Sequence, residues 1–246
     1  MRMLVLSLLA GALLSAQTKP AFLTGSGWRA LLNGKDLQGW HAKEKGQPHE
    51  WFTTTAVQLD PANPKLWKTE PAPGPIIVNG RGGKTQDWVT DETHGDLELY
   101  LEWNVAQGSN SGVYLHGLYE VQILDSFGKP EPKYSDAGGI YHRWINEQGV
   151  GGSSPKVNAA KPAGEWQSFR IWFQAPRFDS AGKKTANAKF LKVEHNGQIV
   201  QENFEVDGGT RAHLPIEEAA RNPLMLQGDH GPVAFRNIWW RPLRRP

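Results

Sequence analysis

The chain has 246 residues, 39% hydrophobic and 21% charged, with 27 Gly, 17 Pro and no Cys. That length suits one large β domain or two small ones, and it buries on the order of 70–75% of the unfolded chain's surface, so a core can form without staples. A formal charge of only +2 excludes the electrostatic footprint of a nucleic-acid binder, and the lack of Cys excludes zinc–thiolate sites, iron–sulfur clusters, cysteine nucleophiles and disulfides.

Residues 1–16 read as a secretory signal peptide: a charged start at Met-Arg-Met, an apolar run from Leu4 to Leu14, then Ser15-Ala16 before Gln17. The run is shorter than the roughly 20 residues a membrane span needs, so no span is expected. No Cys follows it to carry a lipid anchor. Export without disulfides fits a bacterial periplasm or exterior.

From Gly25 onward no charge block, repeat or low-complexity linker interrupts the chain. In chain order the first clear strand is Asp96 to Trp103, where Leu97, Leu99 and Leu101 alternate with Glu98, Tyr100 and Glu102. Gly112 to His116 puts Val113 and Leu115 on one face, Tyr114 and His116 on the other. Tyr119 to Asp125 puts Val121 and Ile123 inside, opposite Glu120 and Gln122. Phe169–Phe173 and Phe190–His195 continue the pattern, and Asn196-Gly197 signals a type I′ hairpin into Gln198–Gln201. Leu224–Gln227 and Val233–Ile238 follow, and the basic end Arg241 to Arg245 reads as a solvated tail. Ile216 to Arg221 is the one helix candidate. Many short strands with Gly and Pro turns predict two stacked antiparallel sheets: an all-β, single-domain β-sandwich of the jelly-roll kind. The stretch Asn79 to Lys84 is Gly-rich but lacks phosphate-loop spacing and a following helix.

The non-core faces carry Glu102, Asn110, Tyr114, His116, Glu120, Gln122, Gln227 and Arg236. Amides, carboxylates, His and Tyr suit the lined face of a carbohydrate site better than the Lys, Thr and Ser of an ordinary wet sheet. Of the 11 Trp, Trp40, Trp51, Trp144 and Trp172 are candidate sugar platforms, while Trp103, Trp166 and Trp239 read as structural. A retaining glycosidase would need two carboxyl groups about 5–5.5 Å apart. On this scaffold they would stand at i and i+4 of one strand, yet the strand reads Glu120, Gln122, Leu124. A direct two-carboxylate glucanase is therefore not expected.

The stretch Leu31 to Trp40 (LLNGKDLQGW) resembles the opening motif of the bacterial 3-keto-disaccharide hydrolase family, also described as 3-keto-glucoside lyases and 3-keto-glucal hydratases. Gly108–Leu115 (GSNSGVYL), Tyr119–Asp125 (YEVQILD), Gly138–Tyr141, Lys156–Ala159, Gly164–Trp166, Ala175–Asp179, Leu226–Val233 (LQGDHGPV) and Phe235–Ile238 fit in the same order. The resemblance runs from about Trp28 to Leu243, and 25–245 is read as one such domain. His116 stands where the family often has Gln, Arg or Met, and Ala137 where close relatives often have Cys. What the resemblance implies is a concanavalin A-like sandwich acting on oxidised saccharides. A ketone at C3 acidifies the C2 hydrogen; its removal gives an enediolate, the C1 substituent leaves by β-elimination, and water adds to the resulting 2-hydroxy-3-keto-glucal. Such a site needs a base, a group to stabilise the enolate oxygen and an acid for the leaving group.

Glu120, mid-strand on the polar face, is the first candidate for the base or a metal ligand, with a structural hydrogen bond as the alternative. His230, in a turn beside Asp229, is a proton shuttle or a turn cap. Arg236 stabilises an enolate or pairs with an acid. Glu102, Asn110, Tyr114, His116, Gln122, Tyr141 and Gln227 are assigned to substrate binding, with His142 a weaker option. A divalent ion stays open: Glu120, His116 and Asp125 can be drawn as ligands, without diagnostic spacing. The expected partner is an oxidised saccharide, not nucleic acid. The alternative reading is a non-catalytic carbohydrate-binding module of the same fold.

Overall fold

The computed structural model describes residues 18–243; the segment read as a signal peptide and Arg244–Arg245 lie outside them. All regular structure in this range is β. The larger sheet has eight strands, in the order Gln198–Val206, Ala188–His195, Gln167–Gln174, Leu97–Val105, Val233–Pro242, Ile76–Val78 and Phe52–Thr54, with Arg29–Ala30 also paired to Val233–Pro242. The smaller sheet has five, in the order Tyr119–Leu124, Asn110–Leu115, Asn222–Leu226, Trp88–His94 and Trp40–Ala42. Every pairing is antiparallel. Among the described residues no helix is long and apolar enough to cross a membrane.

The alternation read from sequence is what packs the sheets. Leu97, Leu99, Leu101, Phe169, Ile171 and Val193 of the larger sheet meet Val113, Leu115, Val121 and Ile123 of the smaller one in a continuous buried core. Burying each such side chain contributes about 1.5–3 kcal/mol, and a one-residue slip would put a whole row into water. Asn196 and Gly197 both take positive φ and close the expected hairpin between His195 and Gln198.

Three expectations are corrected. Ile216–Arg221 is irregular. Seven residues between Pro215 and Pro223 give too little helix to repay nucleation, and Glu218 is held instead by the Tyr119 hydroxyl and Lys184. Arg241 is no solvated tail residue: it lies within the Val233–Pro242 strand, ion-paired to buried Glu98 and laid over Trp28. Trp40 and Trp51 are core residues, the latter stacked on Trp88 and Phe235, so neither is a platform.

The edge of the smaller sheet positions the site. Tyr119–Leu124 is its last strand, but the segment 138–141 runs beside it, with Gln122 N donating to Gly139 O, Gly138 N to Gln122 O and Tyr141 N to Glu120 O. That cover satisfies the exposed edge and brings Tyr141 next to Glu120. At the other end, Thr210 bridges the hairpin: its hydroxyl donates to Leu118 O and accepts from Glu120 N. Its neighbours Arg211 to Leu214 then fold over Tyr114.

Candidate active site

A single depression of about 390 Å³ on the outer face of the smaller sheet is lined by Asn110, Tyr114, Glu120, Gln122, Tyr141, Arg211, Ala212, Gln227 and His230. Seven of these are residues that sequence reasoning assigned to the site. Antiparallel register explains the cluster: Glu120 pairs with Tyr114, Gln122 with Gly112 and Leu124 with Asn110, so the outward residues of both strands share one surface. Gln227 joins them through its backbone N–H to Gly112 O.

Glu120 forms the floor and is 2% exposed. Gly112 makes room for it: a Cβ there would fall 2.2 Å from the Glu120 carboxylate. Burial pushes the Glu120 carboxyl up to about 8; a hydrogen bond from the Tyr114 hydroxyl opposes the shift, and the charges of Asp87 and Asp229 reinforce it. The same surroundings, burial first and Glu120 second, raise Tyr114 and Tyr141 above the ordinary phenol value. Tyr114 also reaches the Arg211 carbonyl at 3.1 Å. Asp87 behind the floor is raised by burial and is occupied by Gly228 N at 3.0 Å and the Lys43 ammonium at 3.1 Å.

His230 stands at the rim, with Nδ1 2.5 Å from the Asp229 carboxylate. With its hydrogen on Nδ1 directed at Asp229, the ring has Nε2 as its acceptor nitrogen. The backbone is fixed as well: His230 O accepts from Asn110 N, and Gly231, at φ 133°, donates to Gly83 O. A Cβ at Gly231 would lie 2.6 Å from the Ser109 hydroxyl, so only glycine permits this approach. Around the floor, Asn110 Oδ1, Gln122 Oε1 and Gln227 Oε1 are buried acceptors with no protein partner. Three such oxygens in one depression suit a ligand rich in hydroxyls.

Three assigned residues are not here. Glu102 and Arg236 pair across neighbouring strands of the larger sheet, on its outer face and on the opposite side of the sandwich. Glu102 accepts from Arg236 Nε at 2.6 Å, Asn237 Nδ2 at 3.0 Å and the Tyr100 hydroxyl at 2.9 Å, and the Arg236 guanidinium lies 4.0 Å over Trp166. They form a structural network, because alternation identifies a polar face but not the sheet that owns it. His116 is also displaced: it and Gly117 take positive φ in the turn after Leu115, and its ring swings into the core against Phe173 and Tyr119. Burial depresses its pKa to about 4.

The drawn metal set fails on the same ground, since His116 faces inward and Asp125, at the far end of its strand, caps Gly108 N. Among the described residues no group of three or more His, Asp or Glu side chains is placed to hold a metal ion. Arg211 and Ala212 were missed. They lie in a loop without periodicity, where the only sequence signal is the Gly208-Gly209 pair that precedes them. Ala212 has φ 65°, an unusual conformation for a residue with a Cβ, and strain of this kind clusters at functional sites. The Arg211 guanidinium lies 4.2 Å over Trp144.

A depression on a sandwich face, floored by a carboxyl and ringed by amides, imidazole and tyrosines, defines a carbohydrate-active protein. The chain belongs to the 3-keto-alpha-glucoside-1,2-lyase-like domain family, whose model matches residues 27–241. It is similar to a provisionally named glycosyl hydrolase from Parabacteroides distasonis, with 27% identity over 89% of this chain and 84% of that one, at a TM-score of 0.62. A second provisionally named glycosyl hydrolase from that organism shares the fold, at 17% identity, 89% and 95% coverage and a TM-score of 0.59. No curated protein matches the sequence.

Proposed function

We propose that this chain is an exported enzyme that cleaves 3-keto-glycosides or 3-keto-disaccharides by C2 proton removal and β-elimination, followed by hydration. The observation that carries the reading is the meeting, in one depression, of a buried carboxyl, pushed up to about 8 by its burial, and a histidine whose Nδ1 is held by Asp229. The other carboxylates acting on Glu120 are already engaged, Asp87 by Lys43 and Asp229 by His230. Direct displacement by a carboxylate pair is therefore disfavoured, and acid–base chemistry on an activated substrate is favoured.

His230 Nε2 takes the C2 hydrogen, and the bond's electrons move into the enediolate of the C3 ketone. Arg211, rather than Arg236, is the cation at hand for the developing oxyanion. Glu120 gives its proton to the glycosidic oxygen as the C1–O bond breaks, leaving the 2-hydroxy-3-keto-glucal and a free alcohol or sugar. Hydration reverses the roles: the Glu120 carboxylate takes a proton from water adding to C1, and the imidazolium returns a proton to C2. This gives Glu120 the acid's part in the first step, in place of the base's part first considered for it. Asn110, Gln122 and Gln227 hold ring hydroxyls.

The test is incubation of purified protein with 3-keto-trehalose and 3-keto-glucosides, the products read by NMR. The expected outcome is release of the C1 substituent from the keto substrates while unoxidised glycosides persist. Saccharide binding without any turnover of keto sugars would assign the chain to the carbohydrate-binding reading instead.

A further inference from the structure

We infer that the hairpin of Arg143–Ile145 and Gln148–Val150 carries a second sugar subsite, with Trp144 as the stacking platform for the ring that follows the one seated over Glu120. The inference rests on the proposed glycoside reading and extends it to two-ring substrates. The depression, about 390 Å³, is at the low end of the range for small-molecule sites, roughly 300–1,000 Å³. A ring seated over Glu120 has Tyr141 and Arg211 as its wall on one side, and a second ring linked to it can continue along that wall.

The walls set the direction in which it leaves. Tyr141 lines the depression and stacks on His142 at 4.4 Å and 28°. The next ring beyond His142 is Trp144, at 5.9 Å. Arg211 spans the same interval from the other side, lining the depression and laying its guanidinium over the Trp144 ring. An unbroken aromatic wall with a cation beside it thus runs from the carboxyl floor to the hairpin.

Trp144 is also an outlier among the tryptophans. All 11 fall within the described residues, and among them Trp144 alone is exposed, at 48%. It stands beside exposed Ile145 and Val150 on a hairpin that belongs to neither main sheet. The Arg211 guanidinium covers one face of the Trp144 indole, and the exposed remainder of the ring suits the C–H face of a pyranose, with the Arg211 N–H groups beside it for hydroxyls.

The experiment compares wild type and Trp144→Ala on 3-keto-trehalose and on methyl 3-keto-glucoside, which lacks the second ring. The expected result is a fall in kcat/KM of about tenfold on the disaccharide and less than about twofold on the methyl glycoside, with Trp144→Phe retaining most of the difference. Equal losses on both substrates, or none on the disaccharide, would overturn the inference. Binding separates this failure from failure of the proposed chemistry. Even if wild type turns over neither substrate, trehalose should bind more tightly than methyl glucoside by NMR titration, and Trp144→Ala should erase that preference; no preference in wild type would also overturn it.

Discussion

At the scale of single residues the account turns on Glu120. Its carboxyl titrates at about 8 against an ordinary 4.5, with burial the main cause. If it acts as the acid of the elimination, kcat/KM should hold through neutral pH and fall as the pH rises through about 8; a base in that position would give a rising limb instead. Glu120→Gln should lower turnover by roughly 10²-fold or more and abolish the alkaline limb. The linkage to stability has a definite sign. Because the folded pKa is raised, the favourable contribution is complete below the unfolded value and is lost as pH rises through the folded one. Glu120→Gln should therefore raise the Tm at pH 9 and leave it nearly unchanged at pH 4, which calorimetry at the two values checks. Gly112 gives a second prediction. Gly112→Ala places a methyl on the Glu120 carboxylate, so the carboxyl must shift, and activity should fall at least as much as stability does.

At the scale of elements, the two arginines separate a site wall from a sheet ornament. Arg236 was legible as polar and strand-borne, and both readings were correct; what alternation does not encode is that Glu102 and Arg236 belong to the larger sheet. Arg211 was not legible, because a loop held by Thr210 contacts and a strained Ala212 carries no period to read. If Arg211 stabilises the enolate oxygen, Arg211→Ala should cost on the order of 10²-fold in kcat, with little change in unfolding temperature because the residue is exposed. Arg236→Ala should do the reverse, keeping kcat/KM within about twofold while lowering Tm through the lost Glu102 pair. Steady-state kinetics beside thermal melts of the two variants distinguishes these patterns. His116 failed for a related reason. The strand alternation was extrapolated one residue past Leu115, into a turn where positive φ at His116 and Gly117 inverts the side chain.

At the scale of the whole molecule, the inward rows were readable because one face of each strand must be apolar over its whole length. The polar outer faces were readable as faces, and the outward residues of the Tyr119–Leu124 and Asn110–Leu115 hairpin were readable as one shared surface because its two strands are consecutive. Tertiary placement of Trp was not: among four platform candidates, two entered the core, and Trp172 lies on the larger sheet between Lys192 and Arg170. Three of the four buried histidines are pushed far below the ordinary imidazole value. His94, His116 and His195 are depressed to about 3, 4 and 3, with burial the largest cause in each. Their folded values lie below the unfolded value near 6.5, so the stability they allow is complete above about pH 6.5 and declines as pH falls toward 4 and then 3. Urea titrations should show the free energy of unfolding dropping by several kcal/mol between pH 6.5 and 4. His116→Gln should make that drop smaller by roughly a third.

The central claim is that the reaction begins at C2 of a ketone-activated sugar. Wild-type protein incubated with methyl 3-keto-glucoside in D₂O, followed by proton NMR, reads that step directly. The account predicts that deuterium enters C2 of the released 3-keto-glucose, that the C1 methoxyl leaves as methanol, and that methyl glucoside in the same tube stays intact with its C2 proton retained. Release of methanol with the C2 proton fully retained would contradict it, because a proton taken by the half-exposed His230 imidazole exchanges with the solvent before hydration returns one to C2.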